Sequence, residues 1–131
     1  GKVVVHATGD GSFRMNCNEL ATVQHYGLPI ITVLFNNQTL GMVRQWQELI
    51  YENRFSQTTT ERGPDFVKLA DANGLKGRRV TQPSELEEAI TEALAESAQG
   101  RGYVIDCAIN ADEMVHPMVN GGHHITEFLL S

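Results

Sequence analysis

The sequence predicts an α/β fold, a doubly wound and mostly parallel sheet with helices on both faces. Strand-like and helix-like segments follow one another in the order β-α-β-α-α-β-α-β along the 131 residues, which is typical of such sheets. Residues 29–35 form an uninterrupted apolar run, as expected for a strand covered on both faces. Asp10 and Asn37, which follow two apolar runs, are 27 positions apart, a separation that fits one strand–helix–strand unit of ~30 residues.

The first strand is predicted over residues 3–7, and it leads into a turn and a helix. Gly9 and Gly11 permit a tight turn because glycine accepts a positive φ at little cost. The helix is predicted to begin at an asparagine N-cap, either Asn16 or Asn18. Its inner face is predicted from apolar residues at a spacing of three, which are Leu20, Val23 and Tyr26.

The second strand is predicted over residues 30–35, after a helix stop at Gly27 and Pro29. A short helix is predicted at residues 40–49. Residues 51–63 are polar and show no periodicity, so we predict a long surface loop there. Long loops in compact domains are often functional.

Two further helix–strand pairs are predicted in the second half of the chain. The first helix begins at Asp65 and ends at Gly74, and a strand follows over residues 76–80. The second helix is predicted to be capped by Ser84, with Glu87 completing a capping box. Its buried stripe is predicted to consist of Leu86, Ala89, Ile90 and Leu94.

The last strand is predicted over residues 103–109. Asp106 lies inside this strand, where a charged residue is unexpected. The tail, residues 110–131, is predicted to contain one short helix at residues 126–130.

Charge and composition exclude several classes of partner. The net charge is −6 and the pI is about 5.3, which argues against a nucleic-acid surface and against an anionic membrane surface. No apolar run approaches the ~18 residues of a membrane span. The two cysteines, Cys17 and Cys107, lack metal-ligand spacing and predict reduced thiols in a cytoplasmic protein. A strand begins almost at residue 1, so we expect a piece of a longer chain.

The residues after the first two strands predict a site for a metal-bridged diphosphate. Ligands bind at the carboxyl ends of parallel strands, where Asp10 and Asn37 are expected. Backbone N–H groups of Gly11 and Ser12, near a helix N-terminus, suit phosphate oxygens. An aspartate beside a diphosphate requires a cation between them, and Mg²⁺ accepts a carboxylate, an amide oxygen and a loop carbonyl near Thr39. Either motif alone is a common turn, so the prediction depends on the pair.

The segment from Gly9-Asp10-Gly11 to Asn36-Asn37 resembles the thiamine diphosphate motif of thiamine-dependent enzymes. Residues 38–47, which read QTLGMVRQWQ, resemble the large catalytic subunit of acetolactate synthase. Residues 79–80, 83–86 and 117–119 add to the likeness, which covers essentially the whole chain. The resemblance implies a thiamine diphosphate-binding fold, with residues 1–131 as the C-terminal part of the diphosphate-binding domain, truncated at its N-terminus.

Site residues follow from the resemblance by position. It implies Mg²⁺ ligands at Asp10, Asn37 and the carbonyl of Thr39. It also implies cofactor contacts at Gly9, Asp10, Gly11, Ser12, Asn37, Thr39, Gly41 and Met42. Trp46 is implied to line the channel by which the second 2-keto acid approaches. Two simpler alternatives remain: Trp46 as a helix aromatic packed against the loop, and Met42 as a core residue.

The implied reaction decarboxylates pyruvate and joins the remainder to a second 2-keto acid. In this family the activating glutamate belongs to a pyrimidine-binding domain of the partner subunit, and FAD is held by a middle domain. We therefore expect no catalytic residue in this chain, no activity from it alone, a parent that is a homodimer or larger, and a regulatory small subunit as a further partner. Other thiamine diphosphate-dependent decarboxylases, oxidases or carboligases remain alternatives, as does a non-catalytic binding or assembly module.

Overall fold

The computed structural model describes residues 2–60, 62–119 and 121–129. Its centre is a four-stranded sheet with the strand order β1-β2-β4-β3, and all three neighbouring pairs are parallel. The predicted fold class is therefore confirmed. The four strands are β1 Val4–Gly9, β2 Ile30–Asn36, β3 Lys76–Val80 and β4 Tyr103–Ala108.

Helices cover both faces of this sheet. One face packs Leu34 and Val104 against Phe13, Leu20 and Phe66, and the other packs Ile31 and Ile105 against two alanines of the last helix. The helices are α1 Asp10–Asn16, α2 Leu20–His25, α3 Gly41–Leu49, α4 Phe66–Ala72 and α5 Leu86–Ala98. Within the described ranges, no helix is long and apolar enough to cross a lipid bilayer.

The connection from β1 to β2 differs from the prediction. Helix α1 begins at Asp10, directly after the extended residue Gly9, and neither Asn16 nor Asn18 caps a helix with its side chain. Phe13 explains the early start, because one turn of helix carries its ring into the core, where it meets Phe66 edge to face at 5.6 Å.

A 3₁₀ turn, Cys17–Glu19, separates α1 from α2. Leu20 is buried and Val23 packs against the core, as predicted. Tyr26 follows the last residue of α2 and is largely exposed, so its predicted place on the inner face is wrong.

Helix α5 begins differently from the prediction. A 3₁₀ turn, Pro83–Glu85, precedes it, and the Glu85 carboxylate accepts the backbone N–H groups of Thr81 and Gln82 at 2.7 and 3.0 Å. The predicted capping box of Ser84 and Glu87 is therefore wrong, because the helical conformation begins at Pro83, two residues earlier than the pattern predicted.

The buried stripe of α5 is also narrower than predicted. Ala89 and Ala93 are fully buried, whereas the larger apolar residues flank them and stay exposed. The small alanines allow the helix to approach the sheet closely, which leaves the bulkier side chains beside the contact. The exposed members of the predicted stripe are Leu86, Ile90 and Leu94.

The tail contains a short antiparallel pair, β5 Met118–Val119 with β6 Phe128–Leu129. The predicted helix at residues 126–130 is wrong for residues 126–129, and residue 130 lies outside the described residues. Met118 is buried, and cross-strand pairing satisfies backbone groups that a short exposed helix would leave open.

Candidate functional site

The register of β1 and β2 brings the two predicted motifs together. Gly9 pairs with Phe35, so Asp10 and Asn36 follow at adjacent strand tips, with Asn37 one residue beyond. A cleft of about 410 Å³ opens at this point. All eight residues implied to contact the cofactor line it: Gly9, Asp10, Gly11, Ser12, Asn37, Thr39, Gly41 and Met42.

Asp10 has the environment of a cation ligand. It is only 3% exposed, and one carboxylate oxygen accepts a 2.9 Å hydrogen bond from the Thr60 hydroxyl. Within residues 2–60, 62–119 and 121–129, no other hydrogen bond and no cationic side chain reaches this carboxylate. Buried charges are normally paired or coordinate a metal, so this carboxylate fits a bound cation.

Asn37 and Thr39 offer two further oxygens. The Asn37 Oδ1 atom accepts the Thr39 N–H at 3.1 Å and keeps a second lone pair. Thr39 is buried, and no backbone N–H of the described residues donates to its carbonyl. One carboxylate, one amide oxygen and one carbonyl make a donor set that suits a hard cation such as Mg²⁺.

Gln38 shapes the loop between these two residues. Its φ is 54°, in the left-handed region, and its N–H donates to the Asn36 Oδ1 atom at 3.3 Å. Nothing in the sequence indicates this role, because glutamine seldom adopts a positive φ.

The loop at residues 51–63 takes part in the site, although sequence analysis placed it on the surface. The backbone N–H of Leu40 donates to the Thr58 carbonyl at 2.8 Å, and the Thr60 N–H donates to the Gln38 carbonyl at 2.7 Å. Thr58 is buried and the Thr60 hydroxyl reaches Asp10. The length of the loop indicated that it could be functional, whereas its polar composition predicted a position on the surface.

Two glycines allow the loops to approach one another. A Cβ atom on Gly41 would lie 2.8 Å from the Asn37 Nδ2 atom, and one on Gly11 would lie 3.1 Å from the Leu40 side chain. A methyl group at Gly41 would displace the Asn37 amide. These glycines therefore preserve both the cleft and the position of a candidate ligand.

The buried Asp106 of β4 supports the loop that follows β2, because it binds Asn36 at the end of that strand. It is fully buried (0% exposed), accepts the Asn36 amide at 2.9 Å, and is paired with the Arg79 guanidinium at 2.9 Å. Burial and then the Asp106 charge raise the pKa of the neighbouring Cys107 thiol, which disfavours its thiolate form. The unexpected aspartate in β4 is thus explained by partners from β2 and β3.

Met42 and Trp46 lie on α3 beside the cleft. They are 51% and 41% exposed, so Met42 is not the core residue of the simpler alternative. Both line a second, apolar groove of about 490 Å³, together with Tyr51 and Arg54 from the loop. Trp46 packs beside the loop, yet much of its indole faces open space. Across the described part of the chain, no group of three His, Cys, Asp or Glu side chains offers another metal site.

The chain is similar to a known protein family and to several known proteins. Residues 1–107 match the family described as thiamine pyrophosphate enzyme, C-terminal TPP binding domain. The chain is 43% identical over 130 residues to the acetolactate synthase isozyme 3 large subunit of Escherichia coli (strain K12), covering 99% of this chain and 23% of that protein.

Similar relatives come from distant organisms. The acetolactate synthase large subunit of Haemophilus influenzae is 43% identical, over 98% of this chain and 22% of that protein. A probable acetolactate synthase large subunit of Methanocaldococcus jannaschii is 41% identical, over 96% of this chain and 21% of that protein. The chain therefore spans less than a quarter of the length of the curated relatives it matches.

A solved structure matches the fold. The thiamine diphosphate-dependent 4-hydroxybenzoylformate decarboxylase of Rhodococcus jostii RHA1 superposes with a TM-score of 0.74 at 26% identity. The match covers 83% of this chain and 20% of that chain.

Proposed function

Because the chain belongs to the family of C-terminal TPP-binding domains of thiamine pyrophosphate enzymes, we propose that it serves as the cofactor-holding part of an acetolactate synthase large subunit. In this proposal residues 1–131 form the C-terminal part of the diphosphate-binding domain. The identity of 41–43% to acetolactate synthases favours this assignment over the decarboxylase, which is 26% identical. The single observation that carries the cofactor role is the buried Asp10 carboxylate facing the same cleft as Asn37 and Thr39.

Each residue of the cleft has a proposed task. Asp10, the Asn37 Oδ1 atom and the Thr39 carbonyl hold Mg²⁺, which neutralises the diphosphate beside the aspartate. Backbone N–H groups of Gly11 and Ser12, in the first turn of α1, face the phosphate oxygens. Gly9 and Gly41 allow the backbone to approach the cofactor closely.

The proposed substrates are 2-keto acids. Thiamine diphosphate, when bound, supplies the electron sink for decarboxylation, and the protein supplies binding and orientation. Met42 contacts the organic part of the cofactor, and Trp46 borders the approach of the second 2-keto acid. No side chain of this chain is proposed to activate the cofactor, since a glutamate of a pyrimidine-binding domain in a partner subunit is expected to do so.

We propose a cytoplasmic enzyme that is a homodimer or larger, carries FAD outside this chain, and associates with a regulatory small subunit. The isolated chain is proposed to be inactive with pyruvate, thiamine diphosphate, Mg²⁺ and FAD. Turnover by the isolated chain would contradict this last statement.

Calorimetry tests the cofactor role. Thiamine diphosphate is titrated into the full-length protein that carries this chain, with Mg²⁺ and with EDTA. We expect binding that requires Mg²⁺ and that weakens by at least about tenfold in Asp10→Ala, because the charged ligand is lost. The matched control is Asp71→Ala, an exposed aspartate on α4. Metal-independent binding, or equal affinity in both variants, would refute the role of Asp10.

Product analysis separates the synthase from its alternatives. Pyruvate alone should give acetolactate, whereas a decarboxylase would release the free aldehyde and an oxidase would consume oxygen. A non-catalytic module would bind the cofactor and give no product in any of these assays.

A further inference from the structure

Asp10 lines two cavities, and among the described residues it is the only one that lines both. One cavity is the cleft of about 410 Å³ that also contains Asn37 and Thr39. The other is a smaller cavity of about 150 Å³, lined mainly by polar side chains that include Thr60 and Gln38. The Asp10 carboxylate can therefore be held from the smaller cavity while it faces a ligand in the cleft.

The Thr60 hydroxyl binds Asp10 from this smaller cavity. It donates a 2.9 Å hydrogen bond to the Asp10 Oδ2 atom. Across residues 2–60, 62–119 and 121–129, no donor reaches the Asp10 Oδ1 atom, although the residue is only 3% exposed. Both oxygens of a carboxylate accept, so the threonine occupies one oxygen and leaves the other for a cation.

The backbone of Thr60 is fixed to the loop that carries the other two candidate ligands. Residues 58–60 run antiparallel beside residues 38–40, with a bridge between their central residues. The Thr60 N–H donates to the Gln38 carbonyl at 2.7 Å, and the Leu40 N–H donates to the carbonyl of residue 58 at 2.8 Å. These bonds use backbone atoms alone, so a change of side chain at position 60 does not remove them.

Thr60 thereby joins the two halves of the candidate metal site. Asp10 follows β1, whereas Asn37 and Thr39 follow β2, and the pairing of these two strands ends before all three residues. In the part of the chain that the structure describes, the Thr60 hydroxyl makes the one hydrogen bond that links the Asp10 side chain to the other half. Mg²⁺ demands near-ideal octahedral geometry, so the orientation of each ligand affects its binding.

We propose that Thr60 is a positioning residue for the cation. Its hydroxyl fixes the orientation of the Asp10 carboxylate, and its backbone fixes that carboxylate relative to Asn37 and Thr39. Thr60 lines the smaller cavity and not the cleft, so it acts on the metal through Asp10. The inference rests on the proposed function, because it requires a cation at Asp10.

Thr60→Val removes the hydroxyl and keeps the shape of the side chain. It also retains the N–H that binds the Gln38 carbonyl. Thr60→Ser keeps a hydroxyl at the same position and should restore the behaviour of the unsubstituted protein. Thr59→Val is the matched control, because Thr59 is exposed and its side chain makes no hydrogen bond to any described residue.

The Mg²⁺ dependence of cofactor binding measures the effect. Thiamine diphosphate is titrated into the full-length protein that carries this chain at a series of Mg²⁺ concentrations, and the Mg²⁺ midpoint is determined. We expect this midpoint to rise about 10–100-fold in Thr60→Val, which is the usual loss when a residue that orients a metal ligand is removed. In Thr60→Ser and Thr59→Val it should stay within about threefold of the unsubstituted value.

Saturating Mg²⁺ gives the signature of an effect on metal affinity. Above the raised midpoint, Thr60→Val should bind thiamine diphosphate as tightly as the unsubstituted protein, because the other contacts of the cleft are unchanged. Hydrogen exchange at the amide of residue 60, measured in EDTA, reports whether the loop is intact. Its protection should be equal in Thr60→Val, Thr60→Ser and the unsubstituted protein, since the bond to the Gln38 carbonyl is kept.

Three results would overturn the positioning role. The first is an unchanged Mg²⁺ midpoint in Thr60→Val. The second is an equal rise of the midpoint in Thr60→Ser and Thr60→Val, which would mean that the hydroxyl is not needed. The third is a loss of amide protection at position 60 in Thr60→Val, which would assign the weaker binding to the loop and not to the orientation of Asp10.

Failure of the proposed function has a different signature. If the unsubstituted protein binds thiamine diphosphate equally well with Mg²⁺ and with EDTA, or does not bind it, both proposals are wrong. If the unsubstituted protein requires Mg²⁺ and Thr60→Val has the same requirement, the cofactor role stands and the role of Thr60 alone is wrong.

Discussion

The Asn36 amide donates a 2.9 Å hydrogen bond to the Asp106 carboxylate, joining two residues that are 70 positions apart in the chain. The same asparagine accepts the N–H of Gln38, which lies between the candidate ligands Asn37 and Thr39. A buried charge in β4 is thereby connected to the loop that carries the proposed metal ligands. The loop geometry depends on this contact as well as on its own residues.

Removing the Asp106 carboxylate should destabilise the fold strongly. Asp106→Ala leaves the Asn36 amide and the Arg79 guanidinium without their shared partner, and we expect a loss of about 2–4 kcal/mol in the free energy of unfolding. Urea denaturation measures it. Glu52→Ala, which removes an exposed pair with Arg54, should cost under about 1 kcal/mol. Equal losses in the two variants would contradict this role of Asp106.

Adding one methyl group at Gly41 should weaken cofactor binding more than folding. The new Cβ atom would lie 2.8 Å from the Asn37 amide, so the candidate ligand must move. We expect Gly41→Ala to lower the Mg²⁺-dependent affinity for thiamine diphosphate by about tenfold or more, with a change in unfolding free energy below about 1 kcal/mol. Gly121→Ala, where nothing lies within 4 Å, is the control. Unchanged affinity in Gly41→Ala would argue against Asn37 as a ligand.

Glu96 should contribute to stability except in acid. Hydrogen bonds from Arg101 and then Lys76 lower the pKa of Glu96 from its ordinary 4.5 to about 2. A lowered pKa means that the native state holds its proton less tightly, so this contribution is complete above about pH 4.5 and is lost as the pH falls toward 2.

Thermal unfolding across this pH range measures the effect. The melting temperature of Glu96→Gln should fall less steeply with acid than that of the unsubstituted protein. Glu87→Gln, on an exposed position of the same helix, should keep the steep fall. Identical acid slopes in the unsubstituted protein and Glu96→Gln would rule out this contribution.

Truncating Trp46 should alter substrate use as well as stability. The residue is 41% exposed, so Trp46→Ala should lower the free energy of unfolding by about 2–3 kcal/mol. If Trp46 borders the substrate channel, the KM for the second 2-keto acid should change severalfold. Leu49→Ala, also on α3 and exposed, should leave the KM unchanged. A KM equal in all three proteins would remove Trp46 from the channel.

The sheet and the location of the cleft could be predicted because their cues are local. A continuous apolar run indicates a strand covered on both faces, and the spacing of Asp10 and Asn37 indicates neighbouring strand tips. Parallel pairing then brings the two tips together. These conclusions need only the pattern within each segment and the length between segments.

The features that sequence analysis missed depend on partners far away in the chain. Thr60 is an ordinary polar loop residue until the fold places its hydroxyl 2.9 Å from Asp10. Asp106 looks misplaced in an apolar strand until Asn36 and Arg79 are seen beside it. The prediction for Tyr26 fails for a local reason, because α2 ends at His25, one residue before the next position of the apolar repeat.

The hydrogen bond from Thr60 to Asp10 spans 50 positions, so the position of this proposed ligand depends on distant parts of the chain being folded together. A ligand that binds there favours the native state over the unfolded chain by mass action. At a free concentration of 100 times its Kd this amounts to ~2.7 kcal/mol. If Mg²⁺ and thiamine diphosphate are that ligand, their supply would govern how long the protein survives proteases.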